Sequence, residues 1–265
     1  MKSRSASDAG SLKRGVVLLK LLATGGRRGM ALTELAAKAQ LPHPSVHRLL
    51  GQLVIERLAE RHAESKRYTL GPLAFEIGVA SSTLYDIRDV CEPVMNGVAN
   101  ATGDTVYLVV RSGFDAVCMH RREGEYPVRA LVLEVGSRRP LGVGAGGLAI
   151  LSAMALDERD EVIRRVAPSL AGFGDLTAET LEAACQKAAD FGAAVIQNRV
   201  TLGIKAVGVH FRNSVGQPTG ALSVAALSQR LDTRRVDVVS RLLREAVVEV
   251  EQQIRRLPSA APRSR

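Results

Sequence analysis

The sequence predicts an α+β chain in two domains: a small helical head closed by a β-hairpin, and a larger domain of antiparallel hairpins with helices on its faces. Three observations carry that prediction. Residues 31–40 and 44–55 have helical spacing on either side of a proline-broken turn. Residues 58–61 and 67–70 read as two short strands across a polar tip. From residue 86 onward, apolar strand-forming runs are joined by turns rich in Gly, Asn, Asp and Pro.

In the head, a small polar tail over residues 1–10 precedes a first helix at 12–23, on which Val16, Leu19 and Ala23 face the helices that follow. Thr33 stands where it can cap the second helix. Leu41-Pro42-His43-Pro44 then breaks that helix, because the residue before a proline is steered away from the α region; Pro44 itself suits the first turn of a new one. The helix at 44–55 sets Val46, Leu49, Leu50 and Leu53 on one face and Ser45, His47, Arg48 and Gln52 on the other. Two short helices at this spacing, the second apolar inside and polar outside, fit a DNA-reading pair. The hairpin presents Arg61, Lys66 and Arg67 to a phosphate backbone, and Lys13 and Arg14 stand near the start of the first helix, where they too can touch phosphate. The DNA-contact set read from this region is Arg14, His43, Ser45, His47, Arg48, Gln52, Arg61, Lys66 and Arg67. The plainer alternative is a small helical domain with a charged hairpin.

Charge is distributed in the same sense. Of a net +9 over 265 residues, residues 1–84 hold 13 Lys/Arg against 6 Asp/Glu, and residues 85–265 hold 23 against 21. The basic excess is thus confined to the head, as an electrostatic footprint for nucleic acid requires. Cys91, Cys118 and Cys185 form no CxxC pair, and the expectation is reduced thiols in a cytoplasm, with no disulfide or metal. No apolar secretory stretch follows Met1-Lys2-Ser3-Arg4, and the apolar run at 16–23 is too short to span a bilayer and carries Lys20, so no membrane association is expected.

Gly71-Pro72 ends the hairpin, and residues 73–87 read as one connecting helix striped by Leu73, Ile77, Ala80 and Leu84, serving as connector, dimer contact or both. Beyond it, strands are expected at 105–111, 116–121, 128–135, 206–212 and 220–227, and helices at 157–166, 177–191 and 233–256. The last carries Val236, Val239, Leu243, Ala246, Val247, Val250 and Ile254 along one stripe.

Residues 142–147 contain a literal GxGxxG. A dinucleotide fingerprint needs an apolar strand running into the first glycine, whereas Gly136-Ser137-Arg138-Arg139-Pro140 precedes this one, and no repeated βα units surround it. An apolar helix follows, whose N-terminus would offer the N–H groups of Ala145 and Gly146 to an anion such as a small carboxylate. Alternatively, the glycines serve close packing of that helix. No nucleophile–base pair is visible, and His120 and His210 read as ordinary strand residues, so neither a catalytic residue nor a cofactor is expected.

Taken together, SLKRGVVLLKLL, LTELAAKAQLPHPSVHRLL, the hairpin ending RYTLGP, GSRRPLGVGAGGLAIL and GQPTGALSV resemble the IclR family of bacterial transcription regulators over nearly the whole chain. The resemblance implies a winged helix–turn–helix at 11–71, a linker helix at 72–88, a GAF-like effector-binding domain at 89–257 and a tail at 258–265. It also implies homodimers or homotetramers on near-palindromic double-stranded operators, small organic or aromatic acids as effectors, control of catabolic genes, and no catalysis. Carried over by position, Ser45 and His47 lie near base edges and Arg48 near phosphate, with His47 equally readable as a packed helix residue; Pro44 takes a place that is often serine in relatives. The effector pocket maps to the backbone of Ala145 and Gly146, to apolar walls at Val128 and Leu131, and to Ala206, Ser223 and Ala225. Alanine replaces two polar groups there, and an acidic position before Gly203 is lost within Ile196-Gln197-Asn198-Arg199, so the pocket suits a ligand with a ring or alkyl tail. Arg129 and Lys205 either pair with its carboxylate or point to solvent. The competing readings are a second domain that only oligomerises and, from another class, a metabolic enzyme with a DNA-binding head.

Overall fold

The computed structural model describes residues 5–80, 83–174 and 176–256. It divides into two units, Met1–Tyr85 and Asp86–Arg265.

The first unit runs α1 (Ser5–Thr24), a 3-10 turn (Gly26–Arg28), α2 (Leu32–Ala39), α3 (His43–Ile55), β1 (Ala59–Arg61), β2 (Tyr68–Leu70) and α4 (Pro72–Ala80). The first helix already begins at Ser5, so residues 5–10 belong to it rather than to a tail; residues 1–4 and the tail expected at 258–265 lie outside the described residues. Its buried stripe is Leu18 and Leu22, one helical turn apart, and Val16 is exposed. Thr33 does not cap α2: the N-cap is Ala31, whose N–H donates to the Glu34 carboxylate at 3.0 Å. Gln40 closes α2 in the left-handed region, and α3 starts at His43 with Pro44 in its first turn. Leu18, Leu22, Leu35, Val46, Leu49, Leu50 and Tyr68 form the core, with Leu53 packed against it. The two strands pair antiparallel, Glu60 opposite Thr69, and a bridge from Met30 to Tyr68 ties the hairpin to the α1–α2 connection.

Of the connecting helix expected at 73–87, helix is described in α4 and again in α5 (Thr83–Thr102), which runs on past residue 87 and contains the boundary between the units; residues 81–82 lie outside the described residues. Of the expected stripe, Leu73 is half-buried and Ile77 exposed; the side chains of Ala80 and Leu84 lie outside the described residues.

The second unit continues with β3 (Thr105–Ser112), β4 (Asp115–Arg122), β5 (Arg138–Pro140), α6 (Ala145–Ser152), α7 (Leu156–Leu170), α8 (Ala178–Phe191), β6 (Ala194–Gln197), β7 (Ile204–Arg212), β8 (Pro218–Leu227) and α9 (Thr233–Arg256). Six strands form one sheet in the order β5-β4-β3-β8-β7-β6, every neighbouring pair antiparallel. An antiparallel sheet can leave one face wet; here both are covered, so β3 and β8 read as almost continuous apolar runs. Alternation sends Tyr107 and Val109 to the face covered by α6, α7 and α8, and Val106 and Leu108 to the face covered by α5 and α9. The stripe expected on α9 is buried in full.

Residues 128–135 form no strand. Their backbone is caught by side chains: the Tyr107 hydroxyl donates to the Ala130 carbonyl at 2.6 Å and accepts from the Val132 N–H at 3.0 Å, while Arg139 and Arg121 donate to the carbonyls of Val132 and Leu133. Asp104, buried to 2 % side-chain exposure at the start of β3, takes Arg230 at 3.0 Å and Arg235 at 2.8 Å, fastening the β8–α9 turn to the sheet; Arg230 also lies over the Tyr126 ring. Among the described residues, no helix is long and apolar enough to cross a membrane.

Candidate functional site

In the first unit, α3 turns Val46, Leu49 and Leu50 inward, and the same helical period sends His43, His47, Arg48 and Gln52 outward, with Ser45 half-buried beside them. His43 and His47, and Arg48 and Gln52, are pairs one turn apart. Arg14 is exposed on α1. At the hairpin, Arg61 lies 5.7 Å from the centre of the Tyr68 ring, and Lys66 is exposed at the tip in a left-handed conformation, its N–H donating to the His62 carbonyl.

Arg67 departs from its expected place. It is turned inward: its guanidinium donates to the carbonyls of Arg28 and Gly29 and pairs with Glu34 at 2.8 Å. Glu34 is thereby held below the usual carboxylate range, first by the Ala31 N–H and then by Arg67. The residue ties the hairpin to α2. Nothing local in the sequence signals this, since Glu34 lies 33 positions away.

In the second unit, one face of the sheet and the start of α6 enclose a space of about 640 Å³, its open mouth included. Alternate residues of successive strands line it: Tyr107 and Val109, Ala116 and Cys118, Ser223 and Ala225, Ile204 and Ala206, and Ile196. Gly144 to Gly147 close one side; Val132, Leu133, Arg139, Arg199, Val200 and Thr201 complete the wall. Of the residues expected in a pocket, Ala145, Gly146, Ala206, Ser223 and Ala225 are therefore together.

Val128 and Leu131 are not among them. They are 53 % and 49 % exposed, because the Tyr107 hydroxyl fixes the backbone at Ala130 and Val132 and presents Val132 and Leu133 to the cavity instead. Arg129 points away and pairs with Glu123 at 2.6 Å. Lys205 stands between Ile204 and Ala206 on β7, so alternation turns it from the cavity those two line.

The approach of α6 to the sheet depends on two glycines. A Cβ on Gly208 of β7 would stand 2.6 Å from the Ala145 carbonyl oxygen, and one on Gly146 would stand 2.5 Å from Val109 Cγ2. The Gly144 N-cap is extended and no side chain caps the helix, so its first N–H groups face the cavity without a side-chain acceptor. A Cβ on Gly146 would also lie 3.6 Å from Ser223 Oγ, which puts that hydroxyl beside the helix start. Ser223 is 6 % exposed.

Two cations face this cavity. Arg139 donates from Nη2 to the Val132 carbonyl, and Arg199 from Nη1 to the Gly142 carbonyl at 3.0 Å. Burial lowers the pKa of both, and among the described residues neither forms a salt bridge with a carboxylate. Both escaped the sequence reading: Arg139 sits in a strand of three residues, and Arg199 in a connection with no periodicity. The three cysteines are free and buried, and burial pushes the thiols of Cys91 and Cys118 up to about 12 and that of Cys185 to about 11, which keeps them protonated. The glycine loop is entered from β5 of an antiparallel sheet, so it lacks the βαβ surroundings of a dinucleotide site. Among the described residues, no group of three or more His, Cys, Asp or Glu is placed to hold a metal ion.

The IclR helix-turn-helix domain model matches residues 11–63, and the bacterial transcriptional regulator IclR C-terminal model matches residues 79–252. The chain is 27 % identical over 230 residues to the HTH-type transcriptional regulator KipR of Bacillus subtilis, covering 85 % of this chain and 90 % of that one. It is 25 % identical over 245 residues to the HTH-type transcriptional repressor AllR of Escherichia coli, covering 91 % and 89 %. Its fold is that of an IclR-type regulator from Alicyclobacillus acidocaldarius (TM-score 0.72, 24 % identity, 92 % and 98 % covered) and of an IclR homolog from Microbacterium hydrocarbonoxydans solved with 4-hydroxybenzoate (TM-score 0.70, 23 % identity, 93 % and 99 % covered). KipR and AllR are transcriptional regulators of the helix-turn-helix type. With the helix-turn-helix model matched over residues 11–63 and the C-terminal model alone spanning well over half of its length, the chain belongs to the IclR family of bacterial transcriptional regulators.

Proposed function

We propose that this regulator is effector-responsive: a small organic acid binds in the cavity of the second unit and changes the affinity of the first for a double-stranded operator. The observation that carries the reading is the pair of half-buried arginines that have, among the described residues, no carboxylate partner, in a cavity whose other walls are mostly apolar. A cation withdrawn from water is costly unless an anion or a set of acceptors compensates it, and a ligand carboxylate is that anion. The uncapped start of α6 and the Ser223 hydroxyl beside it supply further donors. The apolar remainder favours a ring or an alkyl chain, and the 4-hydroxybenzoate complex of the Microbacterium homolog supports an aromatic acid.

On the DNA side, Ser45 and His47 face base edges, Arg48 lies near phosphate, His43 and Gln52 flank them, and Arg14, Arg61 and Lys66 touch the backbone; Arg67 holds the hairpin in place. A ligand acts by differential binding, favouring one arrangement of a homodimer or homotetramer over another. The 67 % exposed Phe75 and 55 % exposed Ile77 of α4 are the apolar surface that such an assembly would cover. The setting is the cytoplasm, where the operator is, and catabolic genes are the targets.

Thermal melting of the full chain against benzoate, 4-hydroxybenzoate, pyruvate and hexanoate tests the effector reading. A saturable rise in Tm is expected with a ring or alkyl acid, since a ligand that binds the native state stabilises it. Ser223→Ala is expected to weaken that binding about tenfold through the loss of one charge-assisted hydrogen bond. Flat melting curves across the panel would remove the effector and leave the second unit as an assembly domain. A response to pyruvate alone would overturn the ring-or-alkyl preference.

A further inference from the structure

Arg139 and Arg199 enter the cavity from opposite margins of the sheet. In the strand order β5-β4-β3-β8-β7-β6, Arg139 stands on the first strand and Arg199 two residues past the end of the last. The start of α6 sits between these margins, with Gly146 against Val109 of β3 and Ala221 of β8, and Ala145 against Gly208 of β7. The two guanidinium groups also have different surroundings. Arg139 is held by the Val132 carbonyl and lies near the Tyr107 hydroxyl and the Cys118 thiol; Arg199 is held by the Gly142 carbonyl and lies near the Cys185 thiol.

Each arginine therefore spends one donor on a backbone carbonyl and keeps the rest of its planar fork, the group best matched to a carboxylate. They are two separate cationic centres rather than one doubled site. A single carboxylate can bridge the helix start and one of them, and leaves the other as a withdrawn cation without an anion. Between the centres the walls are mostly apolar, with Val109, Ile196, Ile204 and Ala206, and Ser223 of β8 adds one hydroxyl.

We propose, resting on the effector reading above, that the ligand class is a dianion: a dicarboxylic acid whose two carboxylates are separated by an apolar spacer. One carboxylate meets Arg139 and the other Arg199, while the spacer crosses the apolar strands between them. In this arrangement the two arginines set specificity by charge number and separation, and the apolar wall sets the nature of the spacer.

The test is calorimetric titration of the full chain with matched pairs: hexanoate against adipate, and benzoate against terephthalate, at fixed salt. In at least one pair the diacid is expected to bind about tenfold or more tightly than its monoacid, the gain of one further charge-assisted pair. Arg139→Gln and Arg199→Gln should each bring that ratio down toward one, and Arg→Lys at the same positions should restore part of it. The wild-type ratio needs no variant to fold, and melting of the unliganded variants identifies any that do not. Equal binding of monoacid and diacid in both pairs would overturn the dianion proposal while leaving a monoacid effector standing. A diacid preference that survives both glutamine substitutions would overturn the assignment to these arginines. Absence of binding by all four acids would overturn the dianion proposal together with the effector reading beneath it.

Discussion

His210 and His120 show how a residue that looks ordinary in the sequence acquires a consequence from its surroundings. His210, on β7, has its pKa pushed below the ordinary value of about 6.5, chiefly by burial and then by Arg212, with Glu251 opposing. His120, on β4, is lowered in the same way by burial and then Arg88, with Glu92 opposing; its Nε2 lies 3.9 Å from the Glu92 carboxylate and has no hydrogen-bond partner among the described residues. The charged form of both rings is therefore disfavoured in the folded chain, and the unfolded chain takes up protons first as pH falls. Stability is greatest above about pH 6.5 and is lost as pH drops through that value toward the folded pKa, where the loss levels off. Melting between pH 7.5 and 5 is expected to show this decline, at about 2–4 °C for each kcal/mol lost, and His210→Gln should flatten it. A profile unchanged in the variant would assign the decline elsewhere. Glu34 and Glu179 do not blur the test, because their lowered pKa values move their own losses below about 4.5.

At the scale of elements, the seating of α6 on the sheet decides whether a cavity exists. Its eight residues are almost all buried, and its first turn reaches β7 because Gly208 has no side chain. A methyl group there meets backbone, which has no rotamer by which to give way. Gly208→Ala is expected to cost about 1–3 kcal/mol, as overpacking does, and to abolish the ligand-dependent rise in Tm even if the chain still folds. A variant that melts lower yet keeps the full ligand response would show that the helix start does not frame the site. The segment 128–135 makes the same point from the other side. Its apolar alternation reads as a strand, but the Tyr107 hydroxyl and the guanidinium groups of Arg121 and Arg139 take its backbone groups and leave no ladder to join.

For the molecule as a whole, +7 of the +9 net charge is carried by residues 1–84, and the outward-facing part of that charge is what DNA would feel. Lys66 is exposed at the hairpin tip, whereas Arg67 is spent on Gly29 and Glu34. Lys66→Ala is therefore expected to weaken binding to any duplex and to reduce the magnitude of the salt slope by about one. Arg67→Ala should leave the slope within about half of a unit while lowering the melting temperature, because it frees the hairpin from α2. Fluorescence anisotropy of a labelled duplex across 50–200 mM salt separates the two. The reverse pattern would return Arg67 to the phosphate contacts and remove Lys66 from them.

Periodicity made much of this architecture readable in advance. The stripes of α3 and α9 are contiguous on one helix face, and burial follows them, because a helix fixes which side chains share a side before any partner is present. The same holds for the antiparallel hairpins β3–β4 and β7–β8, whose turns are local, and for the helix start at Ala145 and Gly146. What only the tertiary structure decided are pairings between residues far apart in the chain that no period announces. Glu34 claims Arg67 across 33 positions, the Gly142 carbonyl holds Arg199 across 57, and Asp104 gathers Arg230 and Arg235 across more than 120. A charged side chain looks the same in a sequence whether it ends in water, in an ion pair or beside a cavity. Its environment is set by the elements that close around it, so the identity of the helices and strands was local information and the identity of the cavity's two arginines was not.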